Sequence, residues 1–126
     1  MRIKIDKADL LFSKYIREKA DWTCERCGKL YPPPTTALQA SHYFGRANEA
    51  TRFDEDNVAA HCMGCHMRFT ANPHEHTEWV KQKLGPERYK VLVKRSNEYK
   101  RKDRKAEFLR VKELYDALLR RKGKMA

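Results

Sequence analysis

Long apolar runs are missing from this sequence: the longest, such as Leu10 to Phe12, Val91 to Val93 and Ala117 to Leu119, are three residues, where a membrane helix needs about 20. That excludes a membrane-spanning helix. The charged N-terminus (Arg2, Lys4, Asp6, Lys7) leads into no apolar stretch, so a cleaved secretory signal is not expected and the chain reads as intracellular. Glycine and proline are scarce, five of each, which rules out collagen-like and low-complexity chains. At 126 residues there is room for one domain, or one small domain with an extension, but not for two cores.

Basic residues are plentiful, and they are unevenly placed. Lys and Arg number 28 against 17 acidic residues, a net charge of +11. Residues 1–21 carry a net of +2, residues 22–80 a net of −2, and residues 81–126 a net of +11. All four cysteines and all five histidines lie in the middle, slightly acidic segment. The chemistry and the charge therefore occupy different parts of the chain. A basic segment of this kind suits a polyanion, because Lys and Arg release condensed counterions from a phosphate backbone. A solvated basic helix surface is the alternative.

The spacing of apolar residues predicts a helix over 7–20, with Asp6 as N-cap and Leu11, Phe12, Tyr15 and Ile16 on one face. Pro32, Pro33 and Pro34 require an extended loop over 31–36. A short strand is expected over 37–43, a polar turn over 45–56, a returning strand over 57–61, and a short helix over 63–70, giving a strand, strand, helix unit. Asn72, Pro73 and Glu75 mark another helix start, with Gly85 its stop, and Pro86 opens a further helix to about Lys94. From about Asp103, Phe108, Val111, Tyr115 and Leu118 form an apolar stripe suited to core packing.

Cys24 and Cys27 form one Cys-x-x-Cys pair and Cys62 and Cys65 another, with 34 residues between the pairs. Two tight turns, each presenting two thiolates, match a tetrahedral ion, and four sulfur ligands leave no open position, so the site reads as structural zinc. An intracellular setting argues against disulfides, and a redox reading would need one such pair rather than two. Zinc binding contributes roughly 10–16 kcal/mol in small zinc modules, enough to replace the apolar core that residues 22–70 lack.

Between and beside these pairs lie Ser41-His42 at the end of the first strand, Asn57 at the start of the second, and His66 directly after Cys65. On the first turn of the helix, His66 could face His42 across a shared cleft. The runs Ala40-Ser41-His42-Tyr43, Arg52-Phe53, Asn57 and Cys62 to His66 resemble the HNH, or ββα-metal, nucleases. Within that group the similarity is greatest to the phage NinG (Rap) recombination nucleases. It rests on a helix leading into Cys24 to Gly28, on the Ser-His-Tyr strand, on Arg52 to Asn57, and on a later helix, Leu-Gly turn and basic amphipathic C-terminus. His61 reads as a strand residue, and His74 and His76 as exposed residues of a first helical turn.

The resemblance implies an α+β fold: a small ββα-metal core with a four-cysteine zinc site over 22–71, an N-terminal helix over 1–21, and a basic helical extension over 72–126 for DNA backbone binding. It implies a metal-dependent endonuclease acting on branched or recombination-intermediate DNA, in the cytoplasm of a bacterium or phage-infected host. His42 would be the general base, Asn57 would orient the His42 loop or ring, and His66 would bind a catalytic Mg²⁺ or Mn²⁺. Arg46 and Arg52 would grip the scissile phosphate. Two positions depart from the common pattern: Ser41 stands where many relatives place a metal-binding side chain before the base, and Thr70 where many have a second helix histidine. The alternatives are a non-catalytic zinc-stabilised nucleic-acid-binding protein and an HNH nuclease acting on ordinary duplex in packaging or restriction.

Overall fold

Asp6 sets the start of the first helix. Its carboxylate accepts from the Ala8 and Asp9 amides, while the Asp9 carboxylate accepts from the Asp6 amide, closing a capping box. The computed structural model describes residues 3–124; residues 1, 2, 125 and 126, at the ends of the first and third expected segments, lie outside the described residues. Helix α1 spans Lys7–Lys19. Strand β1 spans Leu38–His42 and β2 spans Val58–Cys62, paired antiparallel with Leu38 opposite Cys62 and His42 opposite Val58. Helix α2 (Met63–Ala71) follows β2 directly, then α3 (Pro73–Leu84), α4 (Pro86–Ser96) and α5 (Arg104–Arg121). The fold is α+β, with five helices and one two-stranded sheet among the described residues. No described helix is long and apolar enough to cross a membrane.

The apolar stripe of the last helix packs where its spacing predicts. Val111 and Leu118 enter one buried cluster with Phe12, Tyr15 and Ile16 of α1, Leu38 of β1, Val58 and Ala60 of β2, and three of the cysteines. Helix α5 therefore covers the face of α1 turned away from solvent. A second cluster, Val80, Leu84 and Leu92, joins α3 to α4 and rests on Tyr43 and Phe44. The Tyr43 hydroxyl bonds both Thr77 Oγ1 (2.8 Å) and the Tyr89 hydroxyl (2.9 Å), which fixes the chain just beyond His42 against both helices.

Two local expectations give way. Asn57 ends a 3-10 turn (Glu55–Asn57) rather than opening the second strand, because Asp54 caps that turn by accepting from the Asp56 amide. Asn72 sits at the head of α3, but its side chain donates backwards to the Arg68 carbonyl (2.9 Å) and caps nothing ahead of it. Glu75, expected to complete that cap, instead pairs with Arg68 at 3.0 Å.

Candidate metal centre and histidine cleft

Each cysteine pair is held by a different local device. In the first, the Gly28 amide donates to the Cys24 carbonyl and the Cys24 amide to the Lys29 carbonyl, both at 2.9 Å. Gly28 takes φ +80°, a left-handed conformation that suits glycine. This knuckle docks on the free edge of β2: the Glu25 amide donates to the Ala60 carbonyl (2.8 Å), and the Ala60 amide donates to the Glu25 carboxylate (2.6 Å). In the second pair, Cys62 is the last residue of β2 and also the N-cap of α2, so Cys65 lies one helical turn beyond it.

The four ligand atoms lie within 4.8 Å of one another, with Cys27 Sγ and Cys62 Sγ 3.9 Å apart. A tetrahedron of sulfurs around zinc, at about 2.3 Å per bond, has edges of about 3.8 Å. All four cysteines are free, and the set fits a structural zinc ion. Arg26 donates to Cys65 Sγ at 3.4 Å, a charge-assisted contact that favours the thiolate a metal requires. Its guanidinium also covers the Phe69 ring at 5.2 Å.

His42 and His66 line one cleft of about 250 Å³ between the hairpin, α2 and α3, and both also line a groove of about 600 Å³ that continues past Arg46 and Arg17. His42 Nε2 lies 3.0 Å from the Arg52 carbonyl oxygen. A carbonyl can only accept, so Nε2 carries the proton and the neutral ring keeps its lone pair on Nδ1. The neighbouring strand residue Ser41 lines the same cleft, where its hydroxyl meets His66 Nδ1 at 3.2 Å. Thr70 has its hydroxyl engaged with the His66 carbonyl at 2.9 Å.

Asn57 is buried and braces the loop after His42. Its Oδ1 accepts from the Phe44 amide (2.8 Å), and its Nδ2 donates to the Phe44 (2.8 Å) and Thr51 (3.1 Å) carbonyls. It holds the loop and makes no hydrogen bond to the His42 ring.

The two arginines diverge. Arg52, expected to grip a phosphate, has a guanidinium that is instead buried and fully engaged. It bonds Asp9 through Nε (2.9 Å) and Nη2 (2.6 Å), Glu49 through Nη1 (3.1 Å), and the carbonyls of Lys4 and Arg46. No donor remains for a phosphate, because the loop must be tied to α1 and Asp9 is the carboxylate within reach. The same clamp fixes the residue whose carbonyl anchors His42. Arg46 lies on the groove wall beside His42, with only a long 3.8 Å approach to Asp9.

His76, expected on an exposed turn, is half-buried and lines the same cleft as His42 and His66. A sequence signal for it exists: His76, Val80 and Leu84 recur at four-residue spacing, and the latter two are buried. His61 is wholly buried among Phe69, His76 and Trp79, with neither ring nitrogen hydrogen-bonded among the described residues.

Burial, assisted by the Arg46 charge, pushes His42 down to about 4. Because this value lies below that of an unfolded histidine, ~6.5, the unfolded chain binds the proton first as pH falls. The stability His42 contributes as a neutral group is thus full above pH ~6.5 and is lost as pH drops toward 4. Urea midpoints should fall between pH 7 and 4.5, and the His42→Gln variant should fall less steeply. Parallel curves for the two proteins would show that His42 is not held neutral.

Comparison with known families finds a match over residues 2–124 to the family model described as Bacteriophage Lambda NinG protein. No curated protein and no solved structure matches the chain.

Proposed function

The chain belongs to the bacteriophage lambda NinG family, and on that basis we propose that it is a metal-dependent DNA endonuclease acting on branched or recombination-intermediate DNA. The observation that carries the reading is the shared cleft: His42, its tautomer fixed by the Arg52 carbonyl, lines it together with His66.

The chain's own groups support a hydrolytic step. A water oxygen attacks phosphorus while its proton passes to His42 Nδ1, and the bond from phosphorus to the 3′-oxygen breaks. The departing oxygen takes a proton from solvent, leaving a 5′-phosphate and a 3′-hydroxyl. The neutral His42 accepts this proton at neutral pH because burial and Arg46 hold it unprotonated. Arg46, on the groove wall, faces the anionic phosphate. Arg52 acts through its carbonyl as a positioning residue. His66 and Ser41 would hold a Mg²⁺ or Mn²⁺ ion, which when bound supplies positive charge to the leaving oxygen. Two such groups are a thin set, and Mg²⁺ tolerates this by keeping water ligands.

Affinity for the DNA backbone falls to the basic residues left over after internal pairing. Much of the C-terminal charge is neutralised within the fold: Arg88 pairs with Asp56, Arg95 with Asp54, Arg104 with Asp6 and Glu49, and Lys122 and Lys124 with Glu18. Lys100, Arg101 and Lys105 are exposed and form no ion pair among the described residues. Since Val111 and Leu118 belong to the core, substitution isolates the charge better than truncation does. Replacing Lys100, Arg101 and Lys105 with alanine is expected to flatten the log-log salt dependence of DNA binding by up to ~2.7, or ~0.9 for each phosphate no longer neutralised, with zinc content unchanged. An unaltered slope would assign these charges to solubility alone.

The substrate class is tested by offering the zinc-loaded protein four-way junctions, flaps and linear duplex in Mg²⁺, Mn²⁺ or Zn²⁺. Preferential cutting of junctions or flaps supports the reading. Equal cutting of linear duplex would indicate a packaging- or restriction-like nuclease, and tight binding without cutting would indicate a non-catalytic zinc module.

A further inference from the structure

A third imidazole lines the cleft that holds His42 and His66. His76, the fourth residue of α3, lines it as well. Its ring lies flat on Phe69, with centroids 4.6 Å apart and planes 3° from parallel, and meets the edge of Tyr43 at 5.1 Å. Two aromatic walls therefore hold the ring in one orientation, whereas His74, two residues earlier, is exposed.

Neither ring nitrogen of His76 has a hydrogen-bond partner among the described residues, although the ring is half-buried. The hydroxyls beside it are engaged elsewhere: Thr70 Oγ1 with the His66 carbonyl and Thr77 Oγ1 with the Tyr43 hydroxyl. A fixed, half-buried imidazole whose nitrogens are uncommitted, sharing a cleft with a second one, has the character of a metal ligand.

We infer that His76 joins His66 as a nitrogen ligand for the divalent cation of this cleft. Imidazole nitrogen is softer than the carboxylate and water oxygens that Mg²⁺ favours. The site therefore selects a first-row transition ion, with Mn²⁺ bound more tightly than Mg²⁺. This inference rests on the proposed reading that the cleft binds a cation, and it adds a second nitrogen ligand beside His66 and the choice of ion.

Mn²⁺ is the probe, because it does not compete for four thiolates as Co²⁺ would, and the full chain is loaded with zinc beforehand. Free Mn²⁺ measured by electron paramagnetic resonance should report one ion bound per wild-type chain, displaced by Mg²⁺ only at large excess. His76→Ala should weaken Mn²⁺ binding ~10-fold or more. His76→Phe, which keeps an aromatic ring on Phe69 but removes both nitrogens, should weaken it equally, so a loss caused by unfolding is distinguishable through zinc content and circular dichroism. Wild-type affinity in both variants, with binding lost in His66→Ala, would overturn His76 as a ligand and leave the nuclease reading intact. Absence of Mn²⁺ binding by the wild type would overturn the inference as well, and cleavage activity in the same preparation would then show that the nuclease reading stands without it.

Discussion

His42→Ala is expected to lower the rate of DNA cleavage about 10²–10⁴-fold, the usual range for losing a general base, while DNA affinity and zinc content stay at wild-type values. Two features make the effect large. The Arg52 carbonyl fixes which nitrogen carries the lone pair, and burial keeps that lone pair unprotonated down to about pH 4. Phe12, whose ring centroid lies 6.5 Å from that of His42, supports the imidazole from the core. Comparison of cleavage rates at saturating protein separates this effect from weaker binding. Equal loss of affinity and rate would instead make His42 a structural residue.

Removal of zinc is expected to dismantle the cleft. In small zinc modules the ion contributes roughly 10–16 kcal/mol, comparable with the whole stability of an ordinary domain, about 5–15 kcal/mol. Here the damage would spread, because Cys24, Cys62 and Cys65 sit in the same buried cluster as Phe12 and Val111. The hydrogen bonds between Glu25 and Ala60 that dock the first knuckle on β2 would break with it. Losing even ~5 kcal/mol would lower Tm of a domain this size by roughly 15–25 °C. Calorimetry before and after chelation checks this, as does Cys62→Ser. An unchanged transition after complete metal removal would mean that packing alone holds the hairpin.

Most of the architecture is legible in the sequence because its signals are local. Asp6 and Asp103 cap helices through their own side chains, Pro73 and Pro86 occupy first helical positions, and Gly85 ends α3 with φ +81°. The cysteine spacing is equally plain, since two knuckles can meet at one ion only if the intervening chain returns. Features set by distant partners are not legible. Arg52 reads as a phosphate ligand because nothing near it in sequence announces Asp9, which lies 43 residues away on α1. Asn72 followed by Glu75 satisfies the pattern of a capping box, but Arg68 on the preceding helix competes for both side chains. His76 reads as exposed because a charged first turn hides the periodicity that places it beneath Tyr43 and over Phe69.

Catalysis, on this reading, comes down to a zinc-held hairpin that presents a proton acceptor to a phosphodiester. End analysis of labelled junction DNA incubated with the wild-type protein in Mn²⁺ tests that directly. Multiple turnovers are expected, with nicks bearing a 5′-phosphate and a 3′-hydroxyl. DNA that is bound yet remains intact in every divalent cation tried would contradict it.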